Sequence, residues 1–122
     1  MMIPIELSDL QSALQQIEEN ISPFSPQKRY KIMLIAEEVL SNLARHATFD
    51  AKPDINLTIQ ESLLIFKDNA KPFNILALKS PDIHLPLKSR TVGGLGIYLI
   101  RRYAREIVYS YHNGYNVLKV YL

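Results

Sequence analysis

An Asn-Gly dipeptide at 113–114, held between VYSYH and YNVLKVYL, constrains this chain more than any other local feature. Both residues tolerate positive φ, as a tight two-residue hairpin loop requires, and the flanking runs are rich in β-branched and aromatic residues. The segment is expected to close as an antiparallel hairpin, so a sheet is part of the fold. INLTIQ (Ile55–Gln60) alternates apolar and polar residues with period two, as a half-buried strand does. Glu61-Ser62 follows as a turn. LLIFKD (Leu63–Asp68) is the hairpin partner, more fully buried, with Asp68 at the strand end where the chain leaves the sheet.

Other stretches carry the helical period. Ser8, with Gln11 three residues on and Leu7 before it, matches a capping box with a staple. Leu10, Ala13, Leu14, Ile17 and Ile21 then recur on one face, until SPFSP (Ser22–Pro26) breaks the helix. A second helix begins at that break, with Ser25 as its cap and Pro26 at the first position. Its apolar side is Tyr30, Met33, Leu34, Leu40, Leu43, Ala44 and Ala47, and it is expected to end near His46–Thr48. Residues 69–92 lack periodicity and contain Pro72, Pro81 and Pro86. A loop of that length in a small domain is typically a lid or binding loop; a helical turn around Asn74–Lys79 is expected within it. A third helix is expected over Leu95–Ile107. The order of helix, helix, strand, strand, loop, helix, strand, strand points to a two-layer α+β sandwich, one sheet with helices on one face.

Composition narrows the function classes. The length of 122 residues suits a single domain spanning 1–122, and 48% apolar with 21% charged residues is ordinary for a folded chain. The net charge of +2 is too small to argue for a nucleic-acid binder. There is no cysteine, which excludes disulfide scaffolds, thiol catalysis and Cys-based zinc sites. No apolar run approaches the ~18 residues of a membrane span. MMIPIELSDLQ lacks a basic region followed by an apolar stretch, so no signal peptide is expected. The default reading is a cytoplasmic domain.

Three features could carry chemistry. Glu38, Asn42 and His46 are spaced by four and share one stripe of the second helix. A carboxylate, an amide and an imidazole so aligned can hold a hydrated metal or handle a proton; equally, they can be a solvated helix face. Asp68, followed by NAKPF, can offer an acceptor in a cleft or form an ordinary Asx turn. VGGLGIYLIRR places Gly93, Gly94 and Gly96 before a helix, where backbone N–H groups can approach an anion. Its spacing is neither a dinucleotide fingerprint nor a P-loop, and a flexible, closely packed helix entry is the plainer alternative. Arg45, Arg101, Arg102 and Arg105 are a basic patch or solvated surface. Tyr109, Tyr111, Tyr115 and Tyr121 read as sheet packing. His84 and His112 have no partner spacing.

Taken in order, three segments resemble the serine-kinase anti-sigma factors of bacteria, within the Bergerat-fold ATPases shared with histidine kinases. EEVLSNLARHA (Glu37–Ala47) is similar to the family's asparagine box. DNAKPFN (Asp68–Asn74) is similar to its D-x-G-x-P-F-D segment, and the run from Val92 to Val120 to its glycine box, helix and closing hairpin. The resemblance implies a two-layer α/β sandwich with a mixed, mostly antiparallel sheet. It implies a site for ATP and Mg²⁺: Asn42 coordinating the metal, Glu38 as general base toward a serine hydroxyl, and Asp68 accepting from the adenine amino group. His46, Ala70, Phe73, Gly93, Gly94, Leu95 and Gly96 would complete the nucleotide site beneath a lid drawn from residues 75–92. The implied partners are a small antagonist protein and a sigma factor or similar regulator; a homodimer stays open, and neither nucleic acid nor membrane is implied.

The chain departs from the family pattern at several places. Ala70 replaces a glycine, Asn74 an aspartate, and Arg105 the aspartate of the helix after the glycine box. Asn116 or a neighbour would stand in for the Thr that faces adenine. The N-terminus is short, as if lacking the edge strand many relatives carry. These departures keep a second reading open: a non-catalytic interaction module on the same fold, with structural, weak or no nucleotide binding.

Overall fold

The computed structural model describes residues 1–77 and 96–122. The elements are β1 (Met2–Pro4), α1 (Leu10–Asn20), α2 (Pro26–His46), β2 (Ile55–Gln60), β3 (Leu63–Asp68), α3 (Gly96–Tyr103), β4 (Glu106–His112) and β5 (Tyr115–Tyr121), with short 3₁₀ turns at Leu7–Asp9 and Ile75–Ala77. The described strands form one sheet in the order β1-β2-β3-β5-β4. Every pairing in it is antiparallel.

Strand periodicity decides which face is covered. Ile3, Leu57, Phe66 and Leu118 are opposite one another across four strands, and each is buried. Ile59, Leu64 and Val120 form a second buried row beside them. Ile17 and Ile21 of the first helical segment join this core, as do Ile32, Ile35, Val39, Leu40 and Leu43 of α2 at helical spacing. The result is a two-layer α+β sandwich. The Asn113-Gly114 turn has φ of 52° and 82° at its two residues, both positive, as the hairpin reading requires. Ser25 caps α2 by accepting from the Lys28 N–H at 3.3 Å, with Pro26 in the first turn.

Three sequence expectations change. The chain has the edge strand it was expected to lack: β1 pairs with β2, and Ile3 and Ile5 are buried from it. Its Pro4 is tolerable because β1 is at the sheet edge. The cap of α1 is Asp9, which accepts from the Ser12 N–H at 3.1 Å. Ser8 lies inside the 3₁₀ turn and its hydroxyl is directed to the Glu6 carboxylate instead. The third helix ends at Tyr103, because the chain from Glu106 pairs with β5 and Ile107 is a strand residue opposite Val120. Of the expected turn around Asn74–Lys79, Ile75–Ala77 is present; the rest of the proposed lid lies outside the described residues. The cap assignment is testable: Asp9→Ala should cost about 1 kcal/mol in chemical denaturation, and Ser8→Ala only a few tenths.

Candidate functional site

Two of the polar residues that the core admits lie together at one end of the sheet. Among the described residues, the buried polar side chains are Asn42, Asp68 and Asn116, at 3%, 4% and 3% exposure. Asp68 ends β3 and Asn116 is its partner in β5, on the side of the sheet that faces the helices. Burying a carboxylate is costly unless donors answer it. Here Asp68 Oδ1 accepts from the Ala70 N–H at 3.0 Å and from Asn116 Nδ2 at 2.9 Å. Its other oxygen has no hydrogen-bond partner among the described residues. Burial pushes the Asp68 carboxyl up from its ordinary value, with the bonds from Asn116 and Ala70 opposing.

Asn116 also holds the chain that follows β3. Its Nδ2 is 3.2 Å from the Ala70 carbonyl and 3.1 Å from the Lys71 carbonyl. Its Oδ1 accepts from the Phe73 N–H at 2.8 Å and from the Tyr109 hydroxyl at 2.5 Å. Asn69 secures the same segment from outside, accepting from the Asp54 N–H at 2.7 Å and donating to the Lys52 carbonyl at 2.9 Å. The Lys71 N–H donates to the Thr48 carbonyl just past α2. Asn74, where the family pattern has aspartate, accepts from the Leu76 N–H at 2.9 Å, so an amide oxygen fills the role a carboxylate would. Ala70 is buried and does not have positive φ, so its methyl group is accommodated without backbone strain.

This framework surrounds a small cleft lined by Val39, Leu43, Phe66, Asp68, Phe73, Ile75, Tyr109, Asn116 and Leu118. It is a mostly apolar slot with a small convergent polar group, the usual composition of a small-molecule pocket. The sequence reading missed one member: Tyr109, taken for sheet packing, is half-buried with its hydroxyl at the polar end. Burial pushes its phenol above the ordinary value, so the hydroxyl stays protonated. An alternation count could have found it, since Tyr109 is opposite Leu118 and shares its inward phase.

The α2 stripe is not a uniformly solvated face. Asn42 is buried, Glu38 is half-buried and His46 is exposed. Asn42 Nδ2 donates to the Glu38 carbonyl one turn back at 2.7 Å, and Asn42 Oδ1 accepts from Arg45 at 3.1 Å. Glu38 Oε2 is buried with no hydrogen-bond partner among the described residues. Burial pushes the Glu38 carboxyl up, repulsion from Glu37 adds to this, and Arg45 opposes it. The His46 ring is 6.0 Å from the Phe73 ring, which brings the end of the stripe to the mouth of the cleft. Gly93, Gly94 and Leu95 lie outside the described residues, and Gly96 opens α3. Of the basic residues, Arg101 reaches the Leu76 carbonyl at 3.4 Å, while Arg102 and Arg105 are exposed. No helix among the described residues is long and apolar enough to cross a membrane.

Comparison with known proteins bears on this arrangement. A family model for the histidine kinase-like ATPase domain matches residues 3–122. The serine/threonine-protein kinase BtrW of Bordetella bronchiseptica is 28% identical over 100 residues, which cover 78% of this chain and 70% of that protein.

The unpartnered Glu38 oxygen has a measurable consequence. A carboxyl with a folded pKa above its unfolded one is most favourable to folding while protonated. That contribution is lost as pH rises from the ordinary glutamate value through the raised one. Glu38→Gln cannot ionise, so it should unfold at a higher temperature than wild type at neutral pH. The difference should vanish below the ordinary glutamate value, which paired melting curves from acid to neutral pH would read.

Proposed function

Because the chain belongs to the histidine kinase-like ATPase domain family, we propose that it binds ATP in the Asp68 cleft and transfers the γ-phosphoryl group to a serine or threonine of a partner protein. The observation that carries this reading is Asp68: one oxygen held by Ala70 and Asn116, the other unpartnered in an apolar slot. Apolar walls of this kind suit the faces of a flat base, and the unpartnered oxygen suits its amino hydrogens. The similarity to a serine/threonine-protein kinase supports the acceptor class.

The residues of α2 suit the transfer step. Among the described residues there is no cluster of three metal-ligating side chains. Mg²⁺ needs none, since it is commonly held by one or two protein oxygens together with the nucleotide phosphates. Asn42 Oδ1 is the oxygen that would serve, and the metal would supply charge neutralisation on the phosphates. Glu38, one turn earlier, would accept the proton of the incoming hydroxyl as its oxygen bonds to the γ-phosphorus and ADP leaves. Partial burial suits it to this task, because a base works best with a pKa raised toward working pH. The remaining work is positioning and charge stabilisation. We assign the acceptor to a small antagonist protein, and the binding function to a sigma factor or similar regulator in the cytoplasm.

One observation favours the alternative of a non-catalytic interaction module: the Arg45 guanidinium is bound to Asn42 Oδ1, the oxygen a metal would need. Calorimetric titration of the nucleotide-stripped protein with ATP decides between them. The kinase reading predicts micromolar, Mg²⁺-dependent binding that disappears in Asn42→Ala, and thermal stabilisation by ligand. Absence of heat and of stabilisation at millimolar ATP would support the interaction module. Given a phosphorylated partner, Glu38→Gln should abolish transfer while retaining ATP binding; transfer at the wild-type rate would remove Glu38 from the base role.

A further inference from the structure

Tyr109 has no task in phosphoryl transfer, yet its hydroxyl is at the polar end of the cleft. Which way its proton points is fixed by its neighbours. The Phe73 N–H can only donate, so the Asn116 atom it meets is the amide oxygen. The Ala70 and Lys71 carbonyls can only accept, so the atom facing them is the amide nitrogen. The amide orientation is thereby determined from both sides, and Tyr109, whose hydroxyl meets the same oxygen, must donate to it. With its single proton spent on Asn116, the Tyr109 oxygen, which also feels the Phe73 N–H, can face a ligand only as an acceptor, through its remaining lone pair. Asp68 reaches Asn116 from the amide side, and its unpartnered oxygen is also an acceptor. Asn116 itself has no hydrogen-bonding capacity left, with two donors on its oxygen and three carbonyl or carboxylate oxygens around its nitrogen.

We propose that Tyr109 is a specificity-determining residue of the nucleotide site, accepting one hydrogen of the base's exocyclic amino group while Asp68 accepts the other, and that Asn116 positions both. This rests on the ATP reading of the cleft and adds a second reading group to it. An amino group offers two hydrogens to two acceptors. A base without it leaves both oxygens unanswered in a site partly shielded from water, which is how a pocket rejects an analogue lacking a polar group.

The test is a cycle between protein hydroxyl and ligand amino group: wild type and Tyr109→Phe, each titrated calorimetrically with ATP and with purine riboside triphosphate, which lacks the 6-amino group. Phenylalanine retains the ring opposite Leu118, and Asn116 keeps its bond from the Phe73 N–H, so the variant is expected to fold. Tyr109→Phe should weaken ATP about fivefold, the worth of one hydrogen bond, and the amino-less analogue less than twofold. Equal weakening of both ligands would mean that Tyr109 only supports the pocket, and would overturn the proposal. Wild-type affinity for ATP in Tyr109→Phe would equally overturn it, since no hydrogen bond to the ligand would have been lost. Failure of wild type to bind ATP would defeat the ATP reading, and this assignment with it.

Discussion

A carboxylate taken out of water must be answered by donors, and the Asp68–Asn116 contact supplies that answer here. Three layers of organisation depend on it. Within the sheet it is a cross-strand pair between β3 and β5. Beyond the sheet it anchors the backbone from Ala70 to Phe73, where Asn116 pairs the Ala70 and Lys71 carbonyls and the Phe73 N–H. At the cleft it leaves one oxygen of Asp68 and the oxygen of Tyr109 facing the space a ligand would fill. A saturated amide is a rigid part: no rotation of Asn116 improves any bond without breaking another. Preorganisation of this sort lets a small pocket discriminate, because the groups that read a ligand do not have to be ordered on binding.

The α2 stripe follows a different logic. Asn42 has a partner at each end of its amide, its own helix backbone and Arg45. Glu38 is left with a buried, unanswered oxygen. Among buried polar groups such an atom is the exception, and exceptions concentrate where chemistry is done. If Glu38 is the base of the proposed transfer, stability and function are in opposition at this one side chain. The neighbouring Arg45 moderates the penalty by holding positive charge nearby, at the expense of occupying the oxygen of Asn42.

Local chemistry was legible in the sequence wherever the deciding contacts are local. The Asn113-Gly114 turn, the Ser25-Pro26 helix start and the β2–β3 hairpin all rest on partners a few residues away, and all are present, although β3 alternates as β2 does and is not the more fully buried strand expected. Where two local solutions competed, the sequence did not separate them: Asp9 and Ser8 are both good caps, and only the 3₁₀ turn that takes up Ser8 decides for Asp9. The three-residue β1 is too short to show a period, though Ile3 and Ile5 alternate correctly around Pro4. The site was legible as a set of residues and not as a network. Glu38, Asn42 and Asp68 could be named from spacing and resemblance, but burial split the α2 stripe into buried, half-buried and exposed members, and periodicity does not report depth. Tyr109 could not be separated from the other tyrosines, because its role comes from Asn116, and Asn116 takes its own from backbone more than forty residues earlier.

The strand order carries a consequence for how the site comes into being. β5 follows β4 in the chain but inserts between β4 and β3, so an interior position of the sheet is filled by the strand made after all the others described here. Loop-closure entropy must be met before contacts of such separation are rewarded, and Asp68 to Asn116 spans 48 residues. A chain emerging in order from its N-terminus therefore has its β2–β3 hairpin and α2 available well before it has a pocket. Until β5 docks, Asp68 lacks its Asn116 partner and the 70–73 backbone lacks the bonds that Asn116 makes to it. Ligand recognition is then an all-or-none property of the finished sheet, and a growing or truncated chain that stops short of residue 116 would not compete with the complete one for nucleotide.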